Sequence, residues 1–205
     1  YGDHRDLHRV DRRQRQMCIR DSILITFHPV TLEKSTSERQ FQELLKSISN
    51  LKNTKIIFTK ANSDTDGRII NSMIDDYVAE HDNTIAFISM GQLNYLSALQ
   101  FMDAVVGNSS SGLIEVPSFK IGTIDIGDRQ KGRIKAKSVI TCLPKKESID
   151  SAIVKLYSPK FQEIINNVVN PYGKGGASKK IAKIIKDFNL DNIVKKSFFD
   201  LKDVF

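Results

Sequence analysis

The stretch Val105-Val-Gly-Asn-Ser-Ser-Ser-Gly-Leu-Ile-Glu115 indicates both the fold and the site of this chain. An apolar strand end stops at Gly107, and three serines follow where a helix would begin. The free N–H groups of such a turn, with serine hydroxyls beside them, can bind phosphate oxygens. Glu115 lies about one helical turn further along, where a carboxylate can accept hydrogen bonds from ribose hydroxyls. The stretch therefore indicates a nucleotide site. The alternative is a serine N-cap and a helix whose glutamate faces solvent.

Short apolar runs alternate with amphipathic segments along the rest of the chain. The candidate strands are Ile23–His28, Lys55–Thr59, Thr84–Ser89, Ala104–Gly107, Thr123–Ile126 and Val139–Cys142. The candidate helices are Ser37–Leu51, Gly67–His81, Gln92–Met102, Ser111–Phe119, Glu147–Tyr157, Pro159–Val169 and Ala177–Phe188. Short runs rich in Ile and Val are typical of strands buried on both faces. The alternation predicts an α/β fold with a doubly wound, parallel, Rossmann-like sheet. The serine turn then lies at a strand's carboxyl end, where such sheets bind ligands.

Composition limits the class of protein. The chain has 205 residues, 40% of them apolar, and a formal charge of +7. We expect one nucleotide-binding domain over residues 23–188. No apolar run approaches the roughly 20 residues of a membrane span, so no membrane partner is predicted. Two cysteines give no disulfide framework, and we expect a cytoplasmic protein. The modest positive charge fits a phosphate-binding protein and requires no nucleic-acid partner.

The first 22 residues differ from the rest. They contain six arginines and no lysine, whereas lysine is much commoner than arginine from Ile23 onward. The segment Met17-Cys-Ile-Arg-Asp-Ser22 resembles the read-through of a sequencing-library adapter. Residues 1–22 are therefore predicted to be a non-native or disordered segment, and the natural protein to be longer at its N-terminus. The alternative is a basic arm for an anionic surface, but four aspartates reduce its net charge to +2.

Five motifs in order resemble the hydrolysing UDP-N-acetylglucosamine 2-epimerase family, and the bacterial sialic-acid-pathway enzymes above all. They are Phe27-His-Pro-Val-Thr31, Ala61-Asn-Ser-Asp-Thr-Asp-Gly-Arg68, Asn108-Ser-Ser-Ser-Gly-Leu-Ile-Glu115, Gly127-Asp-Arg-Gln-Lys-Gly-Arg133 and Asn170-Pro-Tyr-Gly-Lys-Gly-Gly-Ala-Ser178. The resemblance implies a glycosyltransferase-B architecture of two facing lobes, of which this chain is the C-terminal one. It also implies a homo-oligomer at full length. The tail, residues 189–205, carries Phe198, Phe199, Leu201 and Phe205, and we expect it to pack on the missing N-terminal lobe.

The resemblance assigns roles to individual residues. It implies that Ser109 and Ser110 bind the diphosphate of a UDP-sugar and that Glu115 binds the ribose. Arg129 follows a predicted strand at the same edge, where a guanidinium can neutralise diphosphate charge. The family places a histidine at the position of His28 near the diphosphate. His28 is therefore the candidate catalytic residue, as a donor of a hydrogen bond or a proton to the leaving phosphate oxygen.

Two further residues are predicted to contact the nucleotide. The family has an aromatic residue at the position of Tyr95, where it could stack on uracil; packing in the core is the alternative. Its counterpart of Asn62 faces the nucleotide, although the loop could also be only a turn. The pair Asp64 and Asp66 lacks the other ligands that Mg²⁺ or Ca²⁺ needs, so no metal is predicted. No cofactor is predicted either.

The family reaction eliminates UDP from UDP-N-acetylglucosamine and hydrates the resulting glycal to N-acetylmannosamine. The resemblance implies that the acids and bases facing the sugar come from the N-terminal half. We therefore expect this chain to bind UDP weakly and to be inactive alone. Three alternatives are a 2-epimerase acting on a UDP- or GDP-linked diacetamido-trideoxyhexose, a two-lobed glycosyltransferase, and a module that binds no nucleotide. UDP release that depends on an acceptor would identify the glycosyltransferase.

Overall fold

A six-stranded sheet forms the centre of the protein. The computed structural model describes residues 21–30, 36–51, 53–62, 65–191 and 194. Most of the predicted N-terminal segment, Asp64 and the apolar tail residues Phe198, Phe199, Leu201 and Phe205 lie outside these ranges. The strands are β1 (Ser22–Thr26), β2 (Lys55–Thr59), β3 (Thr84–Phe87), β4 (Ala104–Gly107), β5 (Gly122–Ile126) and β6 (Val139–Cys142). All six lie where the alternation of apolar runs predicts them.

The strands pair in the order β3-β2-β1-β4-β5-β6, and every pair is parallel. The chain winds outward from β1 to β3, crosses back to β4 and winds outward again to β6. The predicted doubly wound sheet is therefore confirmed. The winding direction reverses between β1 and β4, where Thr26 is in register with Gly107. A crevice at the carboxyl ends of those two strands is the usual ligand site of such sheets.

Helices lie between consecutive strands except between β5 and β6. The helices are α1 (Ser37–Ile48), α2 (Thr65–Glu80), α3 (Gly91–Leu99), α4 (Ser111–Ile114), α5 (Lys146–Leu156), α6 (Pro159–Asn166) and α7 (Ala177–Asp187). The helix predicted over Ser111–Phe119 is interrupted: α4 has four residues, and a 3₁₀ turn over Val116–Phe119 follows it. Pro117 explains the break, because proline has no N–H to donate and disfavours helical geometry in the preceding residue.

Apolar side chains fill the space on both faces of the sheet. Ile23 and Ile25 of β1 point into the larger cluster, together with Phe41 and Leu44 of α1. Leu24 points the other way, into a smaller cluster with Leu99, Val105, Val116 and Ile121. All of these side chains are at most 3% exposed. Alternation along one strand therefore anchors helices on both faces, and this fixes the crevice at the strand ends.

The chain divides into two compact units, Tyr1–Tyr172 and Gly173–Phe205. The sheet and α1 to α6 belong to the first unit, and α7 belongs to the second. The division falls earlier than the predicted domain end at residue 188, so the range 23–188 stays a prediction. Within the described part of the chain, no helix has the length and apolar character to cross a membrane.

Candidate functional site

The carboxyl ends of three neighbouring strands bring most of the predicted site residues to one edge of the sheet. His28 follows β1, Ser109 and Ser110 follow β4, and Arg129 follows β5. Because β1, β4 and β5 are adjacent and parallel, their connections leave the sheet side by side. This edge of the sheet therefore brings together one histidine, two serines and one arginine, residue types that can bind an anion.

Gly107 lets the β4 turn approach the end of β1. Its φ is +140°, and a Cβ built on it would lie 1.9 Å from the carbonyl oxygen of Thr26. Only glycine fits so close to a neighbouring backbone. The approach allows the N–H of Asn108 to donate to that same carbonyl oxygen at 3.2 Å. The glycine of the motif thus fixes where the polar turn leaves the sheet.

Asn108 connects two of the predicted site residues, although no role was predicted for it from the sequence. Its side-chain Oδ1 accepts the His28 N–H at 2.7 Å, and its Nδ2 donates to the His28 carbonyl oxygen at 2.8 Å. Its own carbonyl oxygen accepts Arg129 Nη1 at 3.1 Å and Gln130 Nε2 at 2.7 Å. Asn108 and Gln130 are each 1% exposed. The only signal for these two contacts in the sequence is that Asn108 and Gln130 lie within the third and fourth motifs.

Arg129 reaches from the β5 loop to the β4 turn through its bond to the Asn108 carbonyl. Desolvation by the surrounding protein lowers the pKa of the Arg129 guanidinium, and the neighbouring charge of Arg133 lowers it further. Both causes disfavour the cation when no anion is nearby. A bound diphosphate would offset both, because it supplies opposite charge beside the guanidinium.

The serine turn leaves hydroxyls available to a ligand. Ser110 is the residue at the N-cap of α4, yet its side chain makes no capping hydrogen bond. The Ser109 hydroxyl accepts the Ser111 N–H at 3.4 Å, a long contact. Ser109 and Ser110 are both half-buried. The capping alternative therefore does not account for the Ser110 hydroxyl.

Tyr95 and Glu115 lie on the α3 and α4 side of the serine turn. The Tyr95 hydroxyl is 2.7 Å from the Ser111 hydroxyl, and its ring packs against the smaller apolar cluster. Burial raises the pKa of Tyr95; the bond with Ser111 opposes that shift, and the charge of Glu115 adds to it. The Glu115 carboxylate is thus close enough to influence the phenol. The ring is partly used in core packing, and its predicted stacking on uracil stays a prediction.

Removal of the Tyr95 hydroxyl separates the two readings of this residue. We expect Tyr95→Phe to destabilise the fold by about 1 kcal/mol, because a half-buried hydrogen bond to Ser111 is lost. UDP affinity should change less than about threefold, since the ring that could stack is retained. Tyr95→Leu removes the ring and should weaken UDP binding further if the ring stacks. Urea unfolding and calorimetric titration measure the two effects; equal UDP affinity of wild type and Tyr95→Leu would exclude stacking.

Asn62 lies apart from this group of contacts. It is exposed in the loop after β2, at the strand next to β1. Asn71 of α2 holds the start of this loop, because its amide bonds both the N–H and the carbonyl oxygen of Ala61, at 2.8 and 3.1 Å. The structure thus places Asn62 at the same edge of the sheet, two strands from the serine turn. Its contact with a nucleotide stays a prediction.

An open cavity of about 650 Å³ lies beside the loop after β5. Lys131, Lys135 and Cys142 are among its lining residues, and the residues predicted to bind the nucleotide are outside it. Lys135 Nζ donates to Asp125 Oδ2 and to the Thr141 hydroxyl, both at 2.8 Å. Burial and the Asp125 charge raise the pKa of the Cys142 thiol to about 12, so this cysteine is a poor nucleophile.

Comparisons with known proteins agree with the motifs. The sequence profile of the UDP-N-acetylglucosamine 2-epimerase family matches residues 4–186. The chain is 40% identical over 180 residues to the GDP/UDP-N,N'-diacetylbacillosamine 2-epimerase (hydrolyzing) of Campylobacter jejuni, covering 87% of this chain and 46% of the relative. It is 39% identical over 182 residues to the polysialic acid biosynthesis protein P7 of Escherichia coli, with 88% and 46% covered. The chain thus spans about half the length of these relatives.

A solved structure shares the fold. The S. aureus MnaA–UDP co-structure aligns with a TM-score of 0.69 at 16% identity, over 96% of this chain and 50% of that chain.

The profile match includes most of the first 22 residues, so their non-native origin stays a prediction. The predicted α/β fold with a parallel Rossmann-like sheet is confirmed, and its place as one lobe of a two-lobed architecture stays a prediction. With a matching profile over most of its length, the chain belongs to the UDP-N-acetylglucosamine 2-epimerase family.

Proposed function

We propose that this chain is the UDP-binding C-terminal half of a hydrolysing sugar-nucleotide 2-epimerase. The complete protein would convert UDP-N-acetylglucosamine and water to N-acetylmannosamine and UDP, and the half on its own would bind UDP without turnover. The observation that carries the proposal is the crevice between β1 and β4. There His28 and Arg129 are both bonded to Asn108, directly beside Ser109 and Ser110.

Each group has a defined task in this proposal. Ser109 and Ser110 donate hydrogen bonds to the diphosphate, and Arg129 neutralises part of its charge. Glu115, half-buried and close to Tyr95, accepts hydrogen bonds from the ribose hydroxyls. His28 faces the leaving oxygen from β1. The residues belong to three strand ends, so a ligand that bridges them would be bound across the switch point of the sheet.

The reaction proceeds in two steps. A base removes the C2 proton, the electron pair forms the C1–C2 double bond, and the C1–O bond breaks to release UDP. Water then adds across the double bond, with a proton delivered to C2 on the opposite face. Charge builds up on the β-phosphate in the first step, where donors and cations lower the barrier most effectively. The chain supplies those groups, and the partners of the sugar ring would come from the other half of the enzyme.

A second substrate has support from one observation. The Campylobacter jejuni relative, 40% identical to this chain, is named for the diacetylbacillosamine linked to GDP or UDP. A UDP- or GDP-linked diacetamido-trideoxyhexose is therefore the alternative substrate of the complete protein. The relative affinity of this chain for UDP and GDP distinguishes a UDP-linked from a GDP-linked substrate, because a guanine ring is larger than a uracil ring.

Calorimetric titration of UDP and GDP into the 205-residue chain tests the proposal. We expect UDP to bind, and Glu115→Ala to weaken its binding by about tenfold to a hundredfold, because hydrogen bonds to a carboxylate contribute about 1.5–3 kcal/mol. Glu163→Ala, which removes an exposed glutamate of α6, should leave the affinity unchanged. Preference for GDP would favour the alternative substrate. A folded sample that binds neither nucleotide would contradict the proposal.

A further inference from the structure

Asn108 is buried in the protein and forms hydrogen bonds with two residues of the candidate site, His28 and Arg129. Its side chain is 1% exposed, so it has almost no surface to offer a ligand. Its amide instead makes two bonds to one residue, accepting from the His28 N–H and donating to the His28 carbonyl. Two bonds of opposite polarity fix both the place and the orientation of the His28 backbone.

The backbone of Asn108 extends the same arrangement to the β5 loop. Its carbonyl oxygen accepts one hydrogen bond from Arg129 and one from Gln130, which uses both lone pairs. Its N–H donates to Thr26 at the end of β1. One buried residue therefore forms hydrogen bonds with the segments at the ends of β1 and β5, and Ser109 directly follows it.

We propose that Asn108 is a positioning residue that holds His28 and Arg129 in the geometry needed to bind a nucleoside diphosphate, an inference that rests on the proposed function. It acts through those two residues and touches no part of the ligand. The required chemistry is specific to an amide, because His28 presents one donor and one acceptor side by side. A carboxylate of the same shape would accept the N–H bond but repel the carbonyl oxygen.

The isosteric variant Asn108→Asp gives this role a pH signature. At about pH 8 an ionised N108D carboxyl faces the His28 carbonyl, and we expect UDP affinity to fall at least about tenfold. Burial raises the pKa of that carboxyl, and the neighbouring Arg129 guanidinium opposes the shift. As the carboxyl is protonated towards about pH 5 it can donate again, and the affinity should recover towards wild type. UDP is also titrated into the wild-type protein at each pH, because the terminal phosphate of UDP itself ionises at about pH 6. The quantity compared is the ratio of the two affinities.

Asn83→Asp is the matched control. Asn83 Nδ2 donates to the carbonyl oxygens of Leu51 and Thr54, at 3.4 and 2.7 Å, before the amino ends of β2 and β3 and away from the candidate site. This variant should also lower stability, measured by thermal unfolding, and leave UDP affinity unchanged at both pH values. Should N108D fail to fold at the higher pH, Asn108→Ser gives a second comparison, because its hydroxyl satisfies only one of the two His28 groups. We expect it to bind UDP about fivefold more weakly.

A double-mutant cycle tests whether Asn108 acts through Arg129. If it does, N108D combined with Arg129→Met weakens UDP binding by less than the product of the two single effects. Independent effects that multiply would overturn that part of the inference. Unchanged UDP affinity in folded N108D and Asn108→Ser, with wild type binding UDP, would overturn the positioning role alone. A folded wild type that does not bind UDP would overturn the proposed function and this inference together.

Discussion

Gly107→Ala is expected to cost more than about 4 kcal/mol of the free energy of unfolding, or to prevent folding altogether. The added Cβ would lie 1.9 Å from the Thr26 carbonyl oxygen, and the residue would have to keep a φ of +140°. The backbone of Thr26 cannot move away, because β1 and β4 pair at the centre of the sheet with Thr26 in register with Gly107. Urea unfolding followed by circular dichroism measures the loss.

Gly132→Ala is the control for this prediction. Gly132 also has a positive φ, +81°, but no atom lies within 4 Å of the Cβ that would be added. It therefore reports the conformational cost alone, about 1 kcal/mol. If Gly107→Ala were no more destabilising than Gly132→Ala, the β4 turn would have room to relax, and the close approach of β1 and β4 would not be a constraint.

Lys135→Met is expected to destabilise the protein by about 3 kcal/mol at about pH 8, because it removes the cation beside a buried carboxylate. Asp125 is 1% exposed, and its Oδ2 accepts from Lys135 Nζ at 2.8 Å. Its Oδ1 has no hydrogen-bond partner among the described residues. Burial raises the pKa of Asp125, and Lys135 lowers it by less. Without Lys135 the pKa should rise further.

The pH dependence of this loss has a definite sign. A carboxyl whose pKa is higher in the folded than in the unfolded protein destabilises the fold increasingly as pH rises between those two values. The loss caused by Lys135→Met should therefore be largest at about pH 8, smaller at about pH 5, and absent below the ordinary pKa of 3.8. Lys137→Met removes an exposed lysine nearby and should be nearly neutral throughout. Urea unfolding at both pH values measures the loss of the free energy of unfolding. A loss that is independent of pH would contradict its attribution to the buried Asp125 carboxyl.

Much of the fold could be predicted from the sequence because the signal is local. The strands β1, β4 and β5 are buried almost throughout and rich in apolar residues, as is typical of strands covered by helices on both faces. Even so, the helix after the serines is shorter than its apolar spacing predicts. Pro117 was visible in the sequence, but its effect depends on whether the chain continues as a helix or tightens into a 3₁₀ turn. In the structure Val116 begins that turn and packs into the smaller cluster.

The candidate site was predictable only in part. The motifs predict that His28, Ser109, Ser110 and Arg129 belong to one site, and the strand order places the ends of their strands side by side. The residue that joins them could not be identified in this way. Asn108 bonds His28 across 80 positions of the chain, and nothing in the local pattern distinguishes its amide from that of any loop asparagine.

Three properties could be inferred from the amino-acid sequence alone: the alternation of strands and helices, the glycine at the end of β4 and the polar character of the turn that follows. These properties depend on residues a few positions apart, through side-chain periodicity and backbone conformation. Contacts between separate segments of the chain depend instead on the folded arrangement. The two hydrogen bonds of the Asn108 amide to His28, the bond of Tyr95 to Ser111 and the pairing of Asp125 with Lys135 each require two separate segments of the chain to meet. Such meetings are fixed by strand order and by the packing of buried side chains, which no local pattern encodes.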